Sequence, residues 1–186
     1  GDLNLKSKAW KDLILEKKIG YLALLRNLRN ILEQAPDIID QACALLIDEN
    51  LVKKSLVLPF RFLTAIKEIQ QTNFDGARKV LIALNKALDI ALSNVPKFNG
   101  KTLVVLDTSG SMSGQPAEIG SVFAAILIKS NDADFITFSN YAKYQTLNSM
   151  DSTLSIAQSI NFISGGTNFD AIFDEANKKY DRVIIL

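Results

Sequence analysis

Histidine is absent from all 186 residues, and cysteine occurs once, as Cys43. The first absence excludes a histidine-based triad, a histidine general base and the common kinds of zinc site. The second excludes an internal disulfide framework and fits a reducing cytoplasm. No apolar run approaches the ~20 residues of a membrane span. The amino terminus GDLNLKSKAW lacks the apolar core of a signal peptide, so nothing points to export. Oxygen ligands are what remain for chemistry. At 48% hydrophobic and 22% charged residues, the composition is that of an ordinary globular chain, long enough for one large domain or two small ones. The net charge of +1 is unevenly spread: residues 1–100 hold 15 basic against 11 acidic side chains, and residues 101–186 hold 6 against 9. That asymmetry points to an anionic partner for the first half and a cation for the second, although a difference this small also arises by chance.

Residues 1–96 read as successive helices. KSKAWKDLILEKK is amphipathic, and IGYLALLRNLRNIL carries Tyr21, Leu25, Leu28 and Leu32 on one stripe, with Arg26 and Arg29 opposite. Pro36 and Pro59 stand at first-turn positions of two further helices. The longest predicted helix lies in FDGARKVLIALNKALDIALSNV, its buried stripe formed by Ala77, Leu81, Leu84, Leu88 and Ala91. Trp10, Phe60, Phe62 and Phe74 read as core. There is no strand pattern and no fixed repeat period, so helix pairs of variable length fit best. The linker VPKFNGK (95–101) then changes the rhythm to strand and helix in alternation, which predicts an open, mostly parallel, doubly wound α/β sheet over 101–186. TLVVLD, ADFITFS, AKYQTLN and DRVIIL are its strands. An α/β domain this short, ending in a strand, reads as incomplete at its carboxyl end.

The stretch LVVLDTSGSMSG (103–114) concentrates the chemistry. An apolar strand runs into Asp107, Ser109 and Ser111 at alternating positions, so one carboxylate and two hydroxyls converge if the chain curls, with Gly110 and Gly114 supplying the positive φ. A hard cation such as Mg²⁺ takes about six oxygen ligands near 2.1 Å. Far downstream, GGTN (165–168) offers Thr167 on a loop that an α/β sheet would bring to the same edge. The plainer alternatives are turn serines satisfying backbone groups at 109, 111 and 113, and a helix-capping box from Thr167 to Asp170. Ser109 stands where an aspartyl phosphatase needs its second aspartate. NGKT (99–102) lacks the earlier glycine of a P-loop, having Val95 there, and leads into a strand.

D-x-S-x-S after an apolar strand, followed by G-G-T, resembles the metal-ion-dependent adhesion site of von Willebrand factor A domains. That resemblance makes Asp107, Ser109, Ser111 and Thr167 metal-site residues for Mg²⁺ or another divalent cation. It also implies one further aspartate after a later strand, which this chain stops short of, so the expected ligand set is one short. The helical half, through LKSKAWKDLI, ALLRNLRNI and ENLVKKSLVLPFRFLTAI, resembles the Ro autoantigen (TROVE) family. The family implies HEAT-like helical repeats and binding of small noncoding Y RNAs and misfolded RNAs in RNA quality control, and since no nucleophile–base pair is visible, the expected function is binding and not catalysis. Lys53, Lys54 and Arg61 around a connection at 51–61, with Arg26 and Arg29 on a helical face, are the candidate phosphate contacts. The rival reading is a protein-interaction module that grips a partner carboxylate through Mg²⁺, with the helices as scaffold.

Overall fold

The computed structural model describes residues 2–186 and divides into two compact units, 1–95 and 96–186. The first is helical. Its elements are α1 (Asp2–Leu15), α2 (Tyr21–Arg26), α3 (Leu28–Gln34), α4 (Ile39–Leu46), α5 (Glu49–Ser55), α6 (Phe60–Gln70) and α7 (Ala77–Ala91), with short 3₁₀ turns at Pro36–Ile38 and Leu92–Asn94. The long amphipathic run after Gly20 is broken in two. Asn27 explains the break: its side-chain amide donates to the Ala23 carbonyl at 2.8 Å, while its own N–H closes a tighter turn on Leu24. The apolar stripe survives, with Tyr21, Leu25, Leu28 and Leu32 all buried. Asp48 caps α5 by accepting from the Leu51 N–H at 3.0 Å, so Lys53 and Lys54 lie on a helix and not on a connection.

Helix α7 packs against α4, α5 and α6. Its buried face is Val80, Ala83, Leu84, Ala87, Leu88 and Ala91, which is rotated from the predicted stripe, since Ala77 and Leu81 are only half-buried. Phe62 is fully buried, but Phe60, Phe74 and Trp10 are half-buried, the last because its indole N–H donates to Gln34 at 2.9 Å near the surface. Each fully buried aliphatic side chain in this core contributes roughly 1.5–3 kcal/mol.

The second unit is a four-stranded sheet in the order β3-β2-β1-β4. Its strands are β1 (Thr102–Asp107), β2 (Asp134–Phe138), β3 (Ala142–Gln145) and β4 (Arg182–Ile185). β1 is central and parallel to both β2 and β4, while β3 runs antiparallel to β2. The helices are α8 (Gln115–Asn131), α9 (Thr153–Ser159) and α10 (Asp170–Glu175). The alternation of β1 decides which helix covers which face. Val104 and Leu106 pack with Phe135 and Ala124 of α8, whereas Leu103 and Val105 pack with Ile136, Phe138 and Ile172 of α10. At the end of the sheet where β2 begins, the Tyr180 hydroxyl and the Lys178 ammonium donate to Asp134 at 2.7 and 3.0 Å, tying the approach to β4 down. Partial burial works against the Asp134 charge, yet these donors outweigh it and hold its pKa below the ordinary carboxylate range. Among the described residues, no helix is long and apolar enough to cross a membrane.

Two groups in the helical unit, Tyr21 buried and Cys43 half-buried, give direct tests. The Tyr21 hydroxyl donates to the Leu46 carbonyl at 2.7 Å, joining α2 to α4, and burial pushes its pKa up and so keeps the proton in place. Tyr21→Phe removes that donor and is expected to lower stability by about 1–2 kcal/mol in urea denaturation. Burial, reinforced by the Asp40 carboxylate and opposed by Lys79, pushes the Cys43 thiol up to about 11. Its reaction with a thiol reagent is therefore expected to be slow at pH 8 and to keep accelerating toward pH 11, because only the thiolate attacks. A plateau below pH 9 would contradict that environment.

Candidate functional site

Asp107 ends β1 half-buried, and the chain turns sharply after it. The Ser109 N–H donates to the Asp107 carboxylate at 2.7 Å, a local turn that fixes the side chain to its own backbone. Thr108 is fully buried, and both its N–H (2.8 Å) and its hydroxyl (2.9 Å) donate to the Phe138 carbonyl at the end of β2. Thr108 is thus the rivet that fastens the loop to the neighbouring strand. Ser109 keeps extended backbone and is 2% exposed, and a 3₁₀ turn over Gly110–Met112 presents Ser111 to solvent. The two hydroxyls that result are 3.2 Å apart.

That spacing bears on what the pair can hold. The separation is that of a hydroxyl–hydroxyl hydrogen bond, and it is also close to the roughly 3.0 Å between neighbouring corners of an octahedron with ~2.1 Å metal–oxygen bonds. Among the described residues no three His, Cys, Asp or Glu side chains gather to hold a metal. A cation at this edge would therefore rest on Asp107 and on neutral hydroxyls. The turn-serine alternative holds for Ser113 alone, whose hydroxyl donates to the Gly110 carbonyl at 2.9 Å, while Ser109 and Ser111 bond to each other.

The loop carrying Thr167 lies directly against the serine loop. The Gly110 N–H donates to the Gly165 carbonyl, and the Ser164 N–H to the Thr108 carbonyl, both at 3.0 Å. Gly165 has φ 102°, the left-handed value that favours glycine. Gly110 does not have a positive φ, contrary to the expectation from sequence. The space around it is tight, since a Cβ there would stand 3.3 Å from the Ser164 hydroxyl, which would have to give way slightly. The helix-capping alternative for Thr167 also falls, because α10 starts at Asp170 with Phe169 at its N-cap and no side-chain cap. Asn168, not Thr167, accepts from the Asp170 N–H, at 3.2 Å. Thr167 is exposed at the tip of its loop.

Three residues that shape this edge were not singled out in the sequence: Thr108, Asn140 and Asn168. An asparagine after a strand reads as an ordinary turn residue, and a threonine inside a serine-rich loop has no distinguishing pattern. Their roles exist only once β1, β2 and the 164–168 loop are adjacent.

The basic candidates fall into two groups. Lys53 pairs with Glu49 at 3.3 Å along the surface of α5, Lys54 is exposed beside it, and Arg29 is exposed on α3. Arg26 and Arg61 are brought together instead: with Leu22, Leu25, Thr64, Ala65 and Glu68 they line one groove of about 390 Å³ between α2 and α6. Arg26 is exposed. The Arg61 guanidinium also sits 5.3 Å over the Phe60 ring, which limits its freedom.

No curated protein matches the sequence. Among solved structures, the crystal structure of the Deinococcus radiodurans RO (RSR) protein superposes with a TM-score of 0.63 and 22% sequence identity, over 82% of this chain and 35% of that one. At that identity the likeness is one of fold, and this chain spans about a third of the length of the Deinococcus protein. A model of the TROVE domain matches residues 3–154, most of the chain, and its span runs past the helices into the sheet unit. The chain belongs to the TROVE-domain family.

Proposed function

We propose that this chain binds RNA through its helical unit and holds a divalent cation at the β1 edge of its sheet unit, acting by binding and not by catalysis. Membership in the TROVE-domain family carries the RNA reading. Arg26 and Arg61, which line one groove together with a single acid, Glu68, support this surface as the phosphate contact, whereas Lys53 is already paired with Glu49. Small noncoding RNAs of the Y type, and misfolded RNAs in quality control, are the ligands proposed. On the same reading the helices are HEAT-like repeats and the sheet unit is a von Willebrand A-type domain. The sheet order β3-β2-β1-β4, with helices on both faces, supports the latter.

A fluorescence-anisotropy titration of a structured RNA with a single-stranded 3′ tail, repeated across salt concentrations, tests the first part. Binding is expected to weaken steeply with salt. Arg26→Ala with Arg61→Ala is expected to lower the number of released counterions by about two and the affinity by about tenfold or more. An unchanged salt slope in the double variant would move the phosphate contacts elsewhere.

For the cation, Asp107, Ser109, Ser111 and Thr167 are the proposed ligands, with waters completing the shell. The support is the 3.2 Å hydroxyl pair beside the carboxylate and the backbone pairing that holds the Thr167 loop against it. Ser109→Ala with Ser111→Ala is expected to abolish Mg²⁺ binding in isothermal titration while leaving the melting temperature of the metal-free chain in place. Equal Mg²⁺ affinity in that double variant would sink the assignment.

A further inference from the structure

Thr167 sits between two residues that are both held by the turn joining β2 to β3. On one side the Gly166 N–H donates to the Asn140 side-chain oxygen at 2.8 Å. On the other, the Asn168 N–H donates to the Ser139 carbonyl at 2.7 Å, and the Asn168 side-chain amide to the Asn140 carbonyl at 3.4 Å. The turn is itself braced, because the Ser139 N–H donates to the Tyr141 carbonyl at 2.9 Å. Only one bond in this set uses a side chain of the turn, and that is the Asn140 oxygen. The space around Gly166 is equally specific: a Cβ built there would come within 2.7 Å of the same oxygen. Gly166 does not need a positive φ, so its lack of a side chain serves the close approach of Asn140 and not the dihedral.

We propose that Asn140 is a positioning residue for the cation site: by gripping the Gly166 amide it sets where the Thr167 hydroxyl stands relative to Ser109 and Ser111. The inference rests on the metal reading above. The serine loop has its own anchor in Thr108, whereas the Thr167 loop is exposed throughout 163–170 and depends on bonds to its neighbours. Partners one step removed from a metal fix the orientation of its ligands, and losing one typically costs about 10–100-fold in affinity. Asn140 does this work from a turn that sequence reading treats as a plain connection.

The test is a double-mutant cycle on the full chain, with Mn²⁺ affinity read by electron paramagnetic resonance and amide exchange at Gly166 and Asn168 read on the metal-free protein. Asn140→Ala is expected to weaken Mn²⁺ binding by about tenfold or more. Gly166→Ala should do the same, because its methyl displaces the Asn140 side chain. In the Asn140→Ala background, Gly166→Ala should add less than about twofold, since the atom it collides with is gone. Exchange at Gly166 and Asn168 should accelerate in Asn140→Ala while β1 amides keep wild-type rates, which a general loss of structure would not produce. Multiplicative losses in the cycle, or unchanged exchange at Asn168, would overturn the positioning role. If the wild-type chain binds no Mn²⁺ at all, the metal reading falls and takes the positioning role with it, whatever the exchange data show. Wild-type Mn²⁺ binding that Asn140→Ala leaves intact removes the positioning role alone.

Discussion

Two backbone hydrogen bonds hold the candidate site together, from the Gly110 N–H to the Gly165 carbonyl and from the Ser164 N–H to the Thr108 carbonyl. They join loops more than fifty positions apart, and every other feature of the edge presupposes them. Without the pairing, Ser109 and Ser111 are turn serines and Thr167 is a hydroxyl on an exposed loop. With it, the end of β1, the end of β2 and the approach to α10 form one surface. The sheet makes the pairing possible, because β1 and β2 are parallel and deliver both chain ends to the same side. Thr108 then commits the loop to that side by spending both of its donors on the Phe138 carbonyl.

The donor set at this edge has an electrostatic consequence on the reading proposed. A divalent cation held by one carboxylate and by hydroxyls keeps most of its charge, since hydroxyls solvate without neutralising. Such a site would attract an anion from solution more strongly than a carboxylate cage would. On the same reading the helical unit would approach anions differently, with the Arg26 and Arg61 guanidinium groups on a groove wall. On the reading proposed, the two units would meet negative charge by distinct chemistries, one through a cation and one through arginine.

Much of the architecture was legible in the sequence, and the reasons are specific. Thr102–Asp107 announced itself because buried parallel strands are continuous apolar runs, and the resemblance to the Ro (TROVE) family is borne out by the match over 3–154. The helix break at Asn27 was not legible, because one asparagine side chain bonding to its own backbone overrode an uninterrupted apolar stripe. The α7 stripe was right at Leu84, Leu88 and Ala91 but wrong at Ala77 and Leu81, because leucine and alanine recur on adjacent faces, and only packing against α4, α5 and α6 chooses between them. Asp107, Ser109 and Ser111 stood out by their spacing after an apolar strand, and the structure keeps them on one turn. What spacing cannot show is a long-range fit, such as Gly110 against Ser164 or Gly166 against Asn140, where a glycine admits the close approach of a neighbour far away in the chain.

The central strand takes its two parallel neighbours from very different distances in the chain. β2 follows β1 after one helix, but the register pairs Thr102 with Arg182, and the Asp107 N–H reaches the Leu186 carbonyl. On a ribosome that difference becomes a matter of time. The helical unit, whose packing among α1 to α7 closes before β1 begins, can consolidate while the rest is still being made. β1 must wait, one edge open and apolar, until some eighty more residues have emerged. During that interval it is the segment of this chain most in need of a chaperone's cover.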